Sequence, residues 1–324
     1  MRRDAERSEN LPEAGPLAPP HADPDLAGSP LSYTMPRALL LLCLLVLASG
    51  CDDGLAKPSA RDVDARVSDA TERLNASEAG RLVLASIDAH GGLEAWYAGG
   101  PLRFRYAYTR LDSVGMPSAE PPLDTRQTVD AWAARATHTL AADSTVRFGW
   151  TGTQAWAMPS PEALPTDARF WSLTPYYFVG MPFVLADPGV NLEMAEPLAL
   201  DSTTTLEQVY VTFDAGTGDA PDDYYYLLLD PETKRVAGVR YVVSYGPFNP
   251  DGGHTPETIM LYDGAQTVGG ITLQEGFRSF LWDGTGAGTP KARGTLTEFE
   301  FAPEVTNADF AAPPEATVLP DLDA

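Results

Sequence analysis

Histidine is the side chain that titrates near neutrality, and this chain has four: His21, His90, His138 and His254. His90 stands just before Gly91-Gly92 at the end of a helical pattern. There an imidazole can satisfy free carbonyls and complement the helix dipole, so it reads as a helix cap before it reads as a base. Asp251, His254 and Glu257 are near enough in sequence to suggest a metal or acid/base cluster. In a chain with 45 acidic against 22 basic residues, however, such neighbours arise by chance, and His254 reads as a solvated loop residue. Gly284, Gly286 and Gly288 lack the spacing, the Lys-Ser/Thr pair and the strand-to-helix context of a phosphate loop. The chain has neither a Gly-x-Ser-x-Gly elbow nor a His-Glu-x-x-His pair. Its two cysteines, Cys43 and Cys51, both precede the folded region, which leaves that region without a disulfide or a thiolate metal site. No catalytic residue, metal ligand or cofactor is therefore assigned.

The remaining candidate chemistry is apolar. Residues 159–191 hold six prolines and six large aromatics, of which Trp171, Tyr176, Tyr177, Phe178 and Phe183 are the candidate pocket residues. A helix is expected around Asp167 to Leu173, with Pro175, Pro182 and Pro188 breaking the rest into short pieces. An insert this rich in rings must bury them. Either the rings plug an ordinary core or they line a ligand cavity.

The elements that would position this insert are mostly strands. Residues 51–74 are polar and read as a tether. Asn75 followed by Glu78 resembles a capping box, and Val83, Leu84 and Ile87 then recur at helical spacing to Ala89. A short helical turn, Leu93 to Tyr97, follows. Strands are expected at 102–111, 125–140, 145–157, 203–214, 224–229, 236–245, 258–262, 270–282 and 294–301, from β-branched and aromatic enrichment. Asp230-Pro231-Glu232-Thr233 makes a hairpin turn between two of them, and Val239, Tyr241, Val243 and Tyr245 share one face. The result is a mainly β domain over residues 75–312, with an acidic tail at 313–324. Its curved, open antiparallel sheet (a half-barrel) of about nine to eleven strands carries an N-terminal helix and a helical, Pro-aromatic cover. A sheet of that width must curl.

Residues 1–50 read as a leader, with residues 1–34 an overlong start and the signal beginning at Met35. Met35-Pro36-Arg37, an apolar run to Leu47 and Ala48-Ser49-Gly50 follow the plan of a secretory signal, and the run is too short to span a bilayer. Ala48-Ser49-Gly50-Cys51 resembles the bacterial lipobox, which implies a lipidated Cys51, a membrane partner through that lipid, and a place in the bacterial cell envelope facing periplasm or cell surface. The formal charge of −23, with no basic run after the leader, argues against nucleic acid as a partner.

His90-Gly91-Gly92 after a helix, Leu102-Arg103-Phe104-Arg105-Tyr106 opening a sheet, and Asp230-Pro231-Glu232-Thr233 between strands resemble a group of secreted bacterial lipoproteins of unknown function. That group is in turn similar to the lipoprotein-carrier fold of the Lol system. The resemblance covers residues 75 to 312 and implies an open half-barrel around a hydrophobic cavity, which in the carriers receives acyl chains. The expected function is noncatalytic binding of a hydrophobic or amphipathic molecule. The rivals are a structural or partner-binding lipoprotein with a filled core and, further off, a hydrolase. If Cys51 carries lipid, Cys51→Ser should move the protein out of the membrane fraction on cell fractionation, because acyl burial contributes about 0.8 kcal/mol per methylene. Undiminished membrane retention of that variant would rule the anchor out.

Overall fold

The computed structural model describes residues 54–218, 220 and 222–321; the leader and Cys51 lie outside them. The described residues open with three helices, α1 (Ala60–Asn75), α2 (Glu78–Ala89) and α3 (Leu93–Ala98). A meander follows: β1 (Leu102–Arg110), β2 (Leu123–Asp130), β3 (Arg135–Leu140), β4 (Arg147–Trp150) and β5 (Ala155–Met158). The insert holds α4 (Ala168–Val179) and a 3₁₀ turn at Phe183–Ala186. A second meander comprises β6 (Val190–Ala199), β7 (Thr205–Phe213), β8 (Tyr225–Leu229), β9 (Val236–Tyr241) and β10 (Thr258–Asp263). The small β11 (Gln266–Val268) and β12 (Ile271–Leu273) hairpin then precedes β13 (Gly276–Trp282), β14 (Ala287–Phe301) and a short β15 (Thr317–Val318).

Pairing of β1 with β14 joins the two meanders into one antiparallel sheet of thirteen strands, ordered β15-β5-β4-β3-β2-β1-β14-β13-β10-β9-β8-β7-β6. This is wider than the nine to eleven strands expected: two of the nine expected strands are hairpins, and β6 and β15 were not expected at all. The stretch 125–140 turns at Asp130, whose carboxylate accepts from Trp132 N, Ala133 N and Arg135. The stretch 145–157 turns where Gly152 takes a φ of 102°. The hairpin at Asp230 is as expected, its carboxylate accepting from Thr233 N at 2.7 Å. Along β1, Leu102, Phe104 and Tyr106 are buried while Arg103 and Arg105 point outward to Glu304 and Asp124. That alternation gives the sheet one apolar inner face and one charged outer face.

The sheet is curled. The twelve-residue α4 is about 18 Å long. It packs on β3 to β5, yet its Trp171 lies 4.8 Å from Tyr108 of β1 and its Phe178 lies 5.1 Å from Tyr241 of β9. In a flat sheet β4 and β9, seven spacings apart in the strand order, would be roughly 34 Å from each other.

Several boundaries differ from expectation. Residues 60–75 are not tether but α1, capped by Ser59 and burying Val63, Ala70 and Leu74. Its Arg66 reaches Trp132 O and Asp187 while lying over the Tyr97 and Trp132 rings. The cap of α2 is Ser77, which accepts from Gly80 N, and not Asn75, which ends α1. In the tail, Thr317 and Val318 extend the sheet beside β5. His90 does end α2: its Nδ1 donates to Ser86 O at 2.8 Å, and its backbone carbonyl accepts from Thr272 N. Gly91 follows with φ 117°, where a Cβ would sit 2.3 Å from the Gly270 carbonyl oxygen. Only glycine lets the helix end meet the β11–β12 hairpin this closely.

His138 of β3 fixes α4 to the sheet. Its Nε2 donates to Ser172 O at 2.8 Å, its ring stacks on Phe148 at 4.3 Å, and Nδ1 has no partner. Burial pushes this imidazole down from 6.5 to about 4. The unfolded chain therefore binds a proton that the native state refuses between those values, so native stability falls as the pH drops from about 6.5 to about 4. The contribution is about 3 kcal/mol at most. Melting curves between pH 7 and 4 should fall more steeply for the native chain than for His138→Gln; parallel curves would remove His138 from this role.

Candidate functional site

A cavity of about 800 Å³ lies between α4 and the inner face of the sheet. That volume is in the range of small-molecule sites. The insert reaches the cavity because β5 and β6 stand near opposite edges of the sheet, so residues 159–189 must cross its face. Asp167 starts α4 by accepting from Phe170 N at 2.8 Å. Helical spacing then divides the side chains between two faces. Trp171, Thr174 and Phe178, at i, i+3 and i+7, look into the cavity with Phe170 and Tyr177. Ala168, Ser172, Tyr176 and Val179 are buried, Ser172 being the residue held by His138.

The five candidate pocket residues are thus split. Trp171, Tyr177 and Phe178 line the cavity. Tyr176 and Phe183 do not: both stack on Trp96 of α3, at 6.5 and 4.5 Å, and Tyr176 donates its hydroxyl to Ala131 O. Their expected role as pocket residues is corrected to that of core filler. One part of the insert packs into the core and another lines the cavity.

The opposite wall comes from the sheet. Tyr106 and Tyr108 of β1, Phe213 of β7, Tyr225 of β8 and Tyr241 of β9 face the cavity, with Val243 and Tyr245 beyond β9. The shared face of Tyr241, Val243 and Tyr245 was readable from strand alternation; the tyrosines of β1 carry the same signal and were not singled out. Burial pushes the phenols of Tyr106, Tyr108, Tyr225 and Tyr241 up, so each stays neutral. Tyr225 stacks on Tyr241 at 5.7 Å, and Phe170 meets Phe248 at 4.8 Å.

Charged groups interrupt this wall at a few points: Arg110, Arg169, Asp223, Lys291 and Asp321. Arg110 pairs with Glu120 at 2.7 Å and Arg169 with Asp321 at 3.6 Å. Asp223 accepts from Ser244 N and Oγ. Burial raises the carboxyl of Asp223 while those hydrogen bonds oppose the rise. None of these charged residues was anticipated from the sequence.

The histidines among the described residues lie elsewhere. His90 is buried beside Phe183, with its imidazole pushed down by burial, and His254 is exposed in its loop. Glu257 faces Arg240 at 3.2 Å, and Arg240 in turn lies over the Tyr226 and Trp282 rings. Asp251, His254 and Glu257 are not brought together as a metal-holding group among the described residues. The geometry suits burial of an apolar body beside a few fixed polar groups.

No protein-family model matches the chain, and no curated protein matches it. Among solved structures, it is similar to a LolA superfamily protein from Nitrosomonas europaea at 8% identity and a TM-score of 0.48, over 72% of this chain and 97% of that one. A DUF1329 family protein from Desulfovibrio piger gives 8% identity and a TM-score of 0.45, over 77% and 97%. A putative outer membrane lipoprotein-sorting protein domain from Vibrio parahaemolyticus gives 9% identity and a TM-score of 0.42, over 76% and 97%.

Proposed function

We propose that this protein is a noncatalytic, lipid-anchored envelope protein that binds a hydrophobic or amphipathic molecule in the cavity beneath α4. The observation that carries the reading is the unfilled, aromatic-walled space itself, about 800 Å³ between Trp171, Tyr177 and Phe178 on one side and Tyr108 and Tyr241 on the other. A domain whose insert served only as a plug would pack rings to interior density throughout. This insert does so around Trp96 and leaves a space beside it.

The mechanism is transfer of apolar surface out of water, about 25 cal/mol per Å² buried, with polar groups at the wall fixing orientation. Neutral tyrosine hydroxyls add hydrogen-bonding capacity without the desolvation penalty of charge. The anchor expected at Cys51 would hold such a binder beside a bilayer.

Solvent extraction of the purified protein followed by mass spectrometry should find co-purified lipid, and a fluorescent fatty-acid probe should be taken up. Joint replacement of Trp171 and Phe178 by alanine should weaken uptake about tenfold, a loss of about 1.4 kcal/mol, with strand content by circular dichroism unchanged. Phe183→Ala should do the reverse, lowering stability by about 3 kcal/mol or more while the folded fraction keeps its uptake. Folded protein with neither co-purified lipid nor probe uptake would return the filled-core, structural role to first place.

A further inference from the structure

The cations at the cavity differ in one respect. Arg110 and Arg169 each have a carboxylate partner, at 2.7 and 3.6 Å. Lys291 forms no ion pair among the described residues; its Nζ donates to Thr258 Oγ1 at 2.7 Å.

Lys291 is built into the frame of the sheet. It sits on β14, and its backbone carbonyl accepts from Leu111 N at 2.7 Å, which holds its main chain against the end of β1. Its side chain lies across β13 to reach Thr258 on β10, two strands away in the sheet order. Thr258 is 1% exposed, so the ammonium is held at a buried hydroxyl. It borders the same cavity as Tyr108, Met260 and Tyr241. Burial lowers the affinity of this amine for its proton, with no nearby carboxylate to offset it.

An ammonium carries three N–H donors. Thr258 takes one, which leaves two for a group inside the cavity. A cation removed from water without a counter-charge is costly, and pairing it with a hydrogen-bonded anion offsets much of that cost. Of the acidic residues at the wall, Asp223 is engaged by Ser244 and Asp321 by Arg169. A counter-charge for Lys291 can come with the ligand.

We propose that Lys291 receives the anionic head of an amphiphile whose apolar tail lies along the aromatic wall under α4. The inference rests on the hydrophobic-ligand reading above and names the ligand class: a single-headed anion, carboxylate or phosphate, and not a neutral lipid. Thr258 orients the ammonium toward that head, while Trp171 and Phe178 cover the tail.

The test is calorimetric titration of the purified full chain with dodecanoate, dodecyl phosphate and dodecanol, which share a tail and differ in head. The anions should bind at least tenfold more tightly than the alcohol, and the tighter of the two tells carboxylate from phosphate. Lys291→Met should bring anion binding down to the level of the alcohol while alcohol binding stays within twofold, which also shows that the cavity has kept its form. Lys291→Arg should retain the preference. Equal binding of anion and alcohol by the unmodified chain overturns the inference and leaves the hydrophobic-ligand reading standing, as does a preference that survives in Lys291→Met at an unchanged melting temperature. If none of the three amphiphiles binds folded protein, the broader reading fails and this one with it.

Discussion

The pairing of β1 with β14 is the constraint on which the rest of the molecule depends. Each meander taken alone would be an ordinary run of hairpins with its own two edges. Joined through Tyr106 opposite Leu296 and their neighbours, they form one sheet in which the end of the first meander and the start of the second face away from each other. The chain must then travel from one side of the sheet to the other, and the shortest path runs over the curled inner face. Helix α4 and the 3₁₀ turn at Phe183–Ala186 are that path. Had β5 paired with β6 instead, the same residues would have been a surface loop and the inner face would have needed another cover.

The cover does two jobs because a helix has two faces. Toward β3, β4 and β5 it presents small and polar groups that fit closely, including the Ser172 carbonyl taken by His138. Toward β1 and β9 it presents large rings that meet the tyrosines of the sheet at a tilt. The parallel stack of Trp96 on Phe183 belongs to the filled core instead. Filled core and cavity therefore lie side by side beneath one insert, and the spacing of aromatic residues along it decides which ring belongs to which.

Much of this was legible in the sequence, for physical reasons that differ by element. Strands β8 and β9 were readable because they are rich in aromatic and β-branched residues and because Asp230 has a carboxylate that organises its own turn. The insert was readable because aromatic density cannot stay in water. Helix α1 was missed although Val63, Val67, Ala70 and Leu74 follow helical spacing: its broad charged face drowns a narrow apolar seam. Strand β6 was missed because its alternation of Val190, Leu192 and Met194 with Asn191 and Glu193 is brief and breaks down at the irregularity before Leu198. Lys291 was invisible for a third reason. The register of β13 against β14 shifts between Ser279 and Trp282. Counting by twos from the exposed Arg293 and Thr295 would therefore put Lys291 outside, where it does not lie.

An open sheet has two free edges, and each is a row of unused backbone donors and acceptors on which another chain could polymerise. A barrel avoids the hazard by closing; this fold keeps its inner face reachable and blunts the edges instead. One edge is the two-residue β15, too short to template a partner. The other, β6, carries Glu193 and Glu196, places Pro197 where a donor would be, and slips register between Ala195 and Leu198. Irregularity at β6 thus works against strand pairing between copies of a protein whose inner face stays open.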